Sequence, residues 1–277
     1  MSLATEHLAT PLSLTGIAYS QQNGRWRTEA MRSHATPRLI HITKGQGRIT
    51  VAGLTRGYGP NNLIFIPAHV MYGFEVGPTV VGQILTIPAA MAPEWPDTPV
   101  HMRLRDVTQQ QEASTLFEGL EREIKSSRNA HSRAAHYHLG ILSVFFERQL
   151  EDQPADPNAQ RAETSAARLV AAYSDLIERD YRSQKGVADF AAELGVTPTH
   201  LTRCCKQSCG KSALALLRNR VHYEACVMLR DTRIPVRDIA SALGFRSAAY
   251  FTRSFQAHAG LTPSTFRKHG ACAARQG

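Results

Sequence analysis

Residues 193–205 read ELGVTPTHLTRCC, and residues 242–255 read ALGFRSAAYFTRSF. Both run Leu-Gly-apolar, then small or polar residues, then an apolar residue followed by Thr-Arg. This repeat constrains the chain more than any other feature, because one local fold must satisfy both copies. In each, an alanine-rich amphipathic segment, VADFAAEL (187–194) or VRDIASAL (236–243), ends at a glycine. Gly195 and Gly244 are suited to the positive φ of a tight turn after a helix. Thr197-Pro198 and Arg246-Ser247 follow, with the capping chemistry that starts a helix. Leu201 or Phe251 then faces inward. The pattern predicts helix, tight turn, helix, spelled twice.

Between the copies, SALALLRNRVHYEACVMLRDT (212–232) places Leu214, Leu217, Val221, Ala225 and Leu229 on one helical stripe. About 20 residues at ~1.5 Å each make roughly 30 Å. Adjacent major grooves on one face of DNA lie about 34 Å apart. Two units joined by such a helix suit one chain reading two successive grooves. A recognition helix enters the groove by its N-terminal turns, where Arg203 and Arg253 are matched between copies and arginine can pair bidentately with guanine. Charge agrees. Residues 164–277 hold 17 Lys and Arg against 8 Asp and Glu, whereas residues 1–163 hold 15 of each. The whole excess of the +9 chain sits in the half that carries the repeat, as a polyanion partner requires.

On these residues the region from about 165 to 269 resembles the AraC/XylS-type DNA-binding domain. The likeness lies in VADFAAELGVTPTHLTRCCKQSCGKSA, the linking helix, and VRDIASALGFRSAAYFTRSFQAHAGLTPSTFR, in that order. It implies base reading by Thr199, His200, Thr202 and Arg203 in the first copy, and by Ala248, Ala249, Tyr250, Thr252 and Arg253 in the second. Lys206, Lys211, Arg218 and Arg246 are candidates for phosphate contacts. Family members often carry longer polar side chains where Ala248 and Ala249 stand, so the second helix is expected to read fewer bases directly. Cys205 stands where the family usually has an aromatic core residue, as Phe255 does in the second copy.

The first half changes period. RLIHITKGQGRITVA (38–52) alternates around a Gly-rich turn and reads as a hairpin. NNLIFIPA (61–68) and TVVGQILTIP (79–88) read as strands, and such spacing suggests a small antiparallel barrel or sandwich. Residues 109–126 and 131–151 read as amphipathic helices, packing on the barrel or pairing with a second subunit. EDQPADPNAQRAE (151–163) is the linker candidate. These strands resemble the cupin-like effector-binding domain of the same family, nearest to its aromatic-acid-responsive members. FIPAHVMYGF has Tyr72 where those regulators carry a histidine. Arg38, His41, Arg48, His69 and Tyr72 lie near the right strands to meet a carboxylate effector. His34, His41 and His69 lack metal-ligand spacing, and the HYH at 136–138 falls in a helix, where i and i+2 point apart.

The expected fold is therefore α+β: a cupin-like antiparallel β-barrel with two helices (1–150), a linker (151–163), and an all-α domain with two helix-turn-helix units joined by a long helix (164–277). The expected function is a sequence-specific transcriptional regulator, an activator, responsive to a small organic effector such as an aromatic carboxylate. Its expected partners are double-stranded DNA, that effector, RNA polymerase and a second copy in a homodimer, with no membrane, no metal, no cofactor and no catalysis. No apolar run approaches the ~18 to 20 residues of a membrane span, and the N-terminus lacks a signal peptide's basic and apolar regions, so a cytoplasmic location is expected. A second reading stays open. Cys204, Cys205 and Cys209 cluster beside Arg203 and Lys206, and nearby cations lower a thiol's pKa. The same scaffold could then be a redox or metal sensor.

Overall fold

The computed structural model describes residues 11–17, 26–152 and 164–273. Most of the expected linker, the extreme N-terminus and the last four residues lie outside the described residues. Strands β1 (Ser13–Gly16), β2 (Arg38–Lys44), β5 (Asn62–Ile66), β7 (Val81–Thr86) and β8 (Val100–Arg103) form one antiparallel sheet in the order β1-β7-β2-β5-β8. β3 (Gly47–Val51), β4 (Leu54–Tyr58) and β6 (Tyr72–Phe74) form a second, in the order β4-β3-β6. The expected hairpin over 38–52 does not form. β2 pairs with β5 and β7, while β3 pairs with β4 and β6. The chain crosses between sheets at Gly45, whose φ is +79° and whose missing Cβ would lie 2.7 Å from the Thr79 carbonyl oxygen. Because of that crossing the sheets stack face to face. Among the described residues no strand pairing joins them, so the expected barrel is an open sandwich.

Ile40, Ile42, Ile49, Ile64, Ile66 and Phe74 fill the space between the sheets. The next residues along the strands, among them Leu39, Leu63, Phe65, Leu85 and Met102, face the other way. They pack against the two helices that follow the short α1 (Trp26–Glu29), namely α2 (Val107–Lys125) and α3 (His131–Glu151), through Phe117, Leu120, Leu139, Leu142 and Phe146. β5 is thus covered on both faces, which explains its unbroken apolar run NLIFI.

The remaining chain is helical: α4 (Ser165–Asp180), α5 (Val187–Glu193), α6 (Pro198–Cys209), α7 (Ala213–Asp231), α8 (Val236–Ala242), α9 (Ala248–Ala259) and α10 (Pro263–Ala273). Thr164, Thr197, Ser212 and Ser247 cap α4, α6, α7 and α9 by accepting backbone N–H bonds three residues on. Tyr173, Phe190, Leu201, Leu216, Leu229, Ile239 and Phe251 form one core, which also takes in Met31 and Met71 from the first half. Ser33 donates a 2.6 Å hydrogen bond to Glu178 of α4. Arg220, 4% exposed, donates to the same carboxylate at 2.7 Å and to Glu224 at 3.1 Å. The two halves therefore meet through packed side chains as well as through the chain. Among the described residues no helix is long and apolar enough to cross a membrane.

Candidate nucleic-acid interface

The repeat folds as two closely matched units. α5 gives way at Gly195, with φ +67°, and the Val196 amide donates back to the Ala191 carbonyl at 2.9 Å. α8 gives way at Gly244, with φ +76°, and the Phe245 amide donates back to Ala240, again at 2.9 Å. α6 and α9 then start at capping residues, run twelve residues each, and stop at Gly210 and Gly260 with φ +70° and +73°. Leu201 and Phe251 are buried in matching places, as are Cys205 and Phe255. α7 carries the chain from one unit to the next over 19 residues, about 28 Å at ~1.5 Å per residue.

Burial fixes which side chains remain outside. On α6, Thr199 and Arg203 are exposed, and His200 and Thr202 are partly so. The Arg203 guanidinium lies 3.0 Å from His200 Nδ1. On α9, Ala249, Tyr250 and Arg253 are exposed, and Ala248 and Thr252 are partly covered. Each recognition helix thus offers one outward edge ending in an arginine, polar on α6 (Thr199, His200, Thr202) and made of two alanines, a tyrosine and a threonine on α9. Lys206, Arg218 and Arg246 are exposed, and Lys211 is half-buried at the end of α6. Arg218, Arg246, Tyr250 and Arg253 line one broad cleft between α7 and α9. Lys185 and Gln184 of the α4–α5 loop reach the same cleft, and Gln184 accepts a 3.3 Å bond from Arg246. Sequence reasoning missed this loop, because its contribution depends on how the two units sit together.

The cysteines turn inward, with the Cys204 sulfur 3.5 Å from His200 Nε2. Cys204, Cys205 and Cys209 are buried, and Cys209 donates to the Cys205 carbonyl. Burial pushes the Cys205 thiol up to about 12 and raises that of Cys209. This corrects the expectation of activated thiols at Cys205 and Cys209: Arg203 and Lys206 face solvent while these two sulfurs face the core. Among the described residues no three His, Cys, Asp or Glu side chains gather as a metal site.

Of the five residues expected to meet an effector, Arg38, His69 and Tyr72 border His34, whereas His41 and Arg48 lie elsewhere. His41 points out of the sandwich onto α2, with its ring 4.7 Å from Phe117, and burial lowers it to about 4. Arg48 is exposed beside Glu75, and His69 sits in an exposed turn with φ +62°. Tyr72 is buried beneath the Arg32 guanidinium at 4.5 Å. Arg38 starts β2 with its Nε buried. Burial, then Arg38, Arg32 and Arg220, lower His34 to about 3.

Comparison with known proteins gives the same division. Residues 14–140 match the AraC-like ligand binding domain, and residues 190–269 match a helix-turn-helix domain. The probable transcription factor PqrA of Proteus vulgaris is 36% identical over 80 residues, covering 29% of this chain and 66% of that protein. The lactose operon transcription activator of Staphylococcus xylosus is 27% identical over 95 residues, covering 34% of each. ToxT of Vibrio cholerae aligns over 94% of this chain and 98% of its own at 12% identity, with a TM-score of 0.43, too loose a match to transfer anything. The chain spans 16% to 66% of the lengths of such curated relatives. With a match to the AraC-like ligand binding domain followed by paired helix-turn-helix units, the chain carries in order the two domains of AraC-type regulators.

Proposed function

We propose that the chain activates transcription by binding DNA sequence-specifically through α6 and α9, and that a small organic acid, an aromatic carboxylate being the expected class, controls it. Residues 1–150 would sense the effector and residues 164–277 would bind DNA in the cytoplasm. One observation carries the DNA reading: two matched recognition helices keep the same edge exposed, each with an arginine on it, while their other faces share one core. The base-reading set is Thr199, His200, Thr202, Arg203, Ala248, Ala249, Tyr250, Thr252 and Arg253. Phosphates would meet Lys206, Lys211, Arg218 and Arg246. Activation is supported by the name of the lactose-operon relative and brings in RNA polymerase as a partner. A homodimer is supported by Tyr137, Ile141 and Val144, large apolar residues exposed along one stripe of α3.

The test is selection of duplexes from a random pool, followed by titration of the enriched site. Arg203→Ala and Arg253→Ala should each lose about 1–3 kcal/mol and relax preference at one position. Lys206→Ala should weaken all sequences alike and reduce the salt slope by about 0.9. An unenriched pool, or undiminished binding by Arg203→Ala, would sink the assignment.

A further inference from the structure

Helical geometry brings three polar side chains of α6 into line. His200, Arg203 and Cys204 stand at i, i+3 and i+4, the spacing at which side chains meet on one helix face. Long side chains in a helix also lean back toward its N-terminus. Arg203 Nη2 donates to His200 Nδ1 at 3.0 Å, and the other ring nitrogen, Nε2, lies 3.5 Å from the Cys204 sulfur. A guanidinium has donors only, so Nδ1 must carry no proton. The ring's proton is then on Nε2 and points to the sulfur, a weak acceptor. Cys204 is buried in the core that the helices share. It steadies the ring from within, while Arg203 on the other side of the ring stays exposed. In the second unit Tyr250 and Ser254 occupy the places of His200 and Cys204, and the Tyr250 ring lies against Phe245, with centroids 5.8 Å apart.

We propose that His200 is a positioning residue: it orients the Arg203 guanidinium for a guanine in the major groove, and so makes α6 the more selective of the two recognition helices at its arginine. The proposal rests on the reading of α6 as a recognition helix, and it moves His200 from base contact to support of the residue that makes one. A guanidinium presents five N–H donors in a fixed fork. Nδ1 takes one, and guanine O6 and N7 need two of the others. The bond therefore leaves Arg203 its full capacity to pair with a base, and it supplies orientation. A long exposed side chain loses rotamer freedom when it docks, at a cost in affinity. One that is already held loses less. A neutral ring also suits the task electrostatically. A carboxylate in its place would orient the arginine too, but would cancel part of the positive field that draws the helix to DNA. The imidazole orients without that penalty.

The test uses the duplex enriched from the random pool, together with duplexes that replace the one guanine at which Arg203→Ala relaxes preference. Each is titrated with the full chain as wild type, His200→Leu, His200→Asn, Arg203→Ala, and His200→Leu combined with Arg203→Ala, after melting curves show that the variants fold. Asparagine carries a carbonyl oxygen near the place of Nδ1 and so keeps the acceptor. His200→Leu should lower the guanine preference roughly threefold to tenfold, and His200→Asn should restore most of it. Once Arg203 is alanine, His200→Leu should change nothing further, as expected of two residues that act as one unit. Preference at the position read by Arg253 should stay the same throughout. Unchanged guanine preference in His200→Leu overturns the proposal. So does a loss that His200→Asn shares in full, or one that persists in the Arg203→Ala background, which would put His200 on a base itself. These outcomes leave the DNA-binding reading standing. That reading fails separately, and takes the proposal with it, if the pool is not enriched or if Arg203→Ala relaxes no position.

Discussion

Arg218 and Arg220 are two residues apart on one helix and do unrelated work. Arg218 is exposed beside the α7–α9 cleft. Arg220 is buried, with its guanidinium 3.8 Å from the Tyr181 ring centre and both Glu178 and Glu224 accepting from it. Removing one partner of a buried pair leaves a charge without compensation. Arg220→Ala should therefore cost about 3–5 kcal/mol in urea unfolding. Arg220→Met should cost less, because the aliphatic stem still packs. A loss below 1 kcal/mol for Arg220→Ala would mean that this network does not hold the halves together. Composition counts both arginines as positive charge available to DNA. Helical phase already separates their faces, but the acidic partners that make Arg220 structural come from elsewhere in the fold. Cys205 carries the same lesson. Its sequence neighbours are cationic, yet its counterpart Phe255 identifies the position as core.

At the level of elements, the two turn glycines look equivalent in the sequence and differ in the structure. A Cβ on Gly195 would meet open space, whereas one on Gly244 would lie 2.5 Å from the Ser183 carbonyl oxygen and 2.6 Å from that of Arg182. Both positions carry the left-handed backbone, which costs a non-glycine residue about 1–2 kcal/mol. Gly195→Ala should show only that cost. Gly244→Ala should be clearly worse and should also weaken DNA binding, because the second turn is wedged against the α4–α5 loop and must move. Equal unfolding midpoints for the two variants would contradict this. The caps, the turns and the lengths of α6 and α9 were legible from contiguous residues. The contact of one unit's turn with the other unit's loop was not.

For the whole molecule, buried histidines tie stability to pH. Burial holds His41 near 4, and burial leads the causes that hold His34 and His222 near 3. The unfolded chain takes up protons on these groups near pH 6.5, while the folded chain does not. Stability is thus full above about pH 6.5 and declines as pH falls toward the folded values, by on the order of 1 kcal/mol per histidine per pH unit. Melting temperatures measured from pH 7 to pH 5 should fall, and His41→Leu should flatten the slope. A flat profile in the wild-type chain would show that these rings take up protons in the fold as readily as in the unfolded chain. The α3 stripe makes a separate prediction at this level. Ile141, 55% exposed, should become fatal to self-association as Ile141→Glu while leaving the melting temperature nearly unchanged. Sedimentation that gives the same mass for both proteins at all concentrations would remove the α3 dimer.

Helices, their caps and their turns depend on hydrogen bonds three and four residues apart. That is why the paired helix-turn-helix units, their exposed arginines and the long joining helix could be read from the chain alone. Strand segments were legible for a related reason, since alternation is local, but strand partners were not. The segment 38–52 has hairpin chemistry, yet Gly45 sends its two strands into different sheets. The face that His41 presents, the packing of β4 against α4, and the bond from Ser33 to Glu178 across 145 residues all depend on which distant surfaces pack together. Such contacts offset the entropy of closing long loops only when an entire surface forms at once, so no short stretch of residues encodes them.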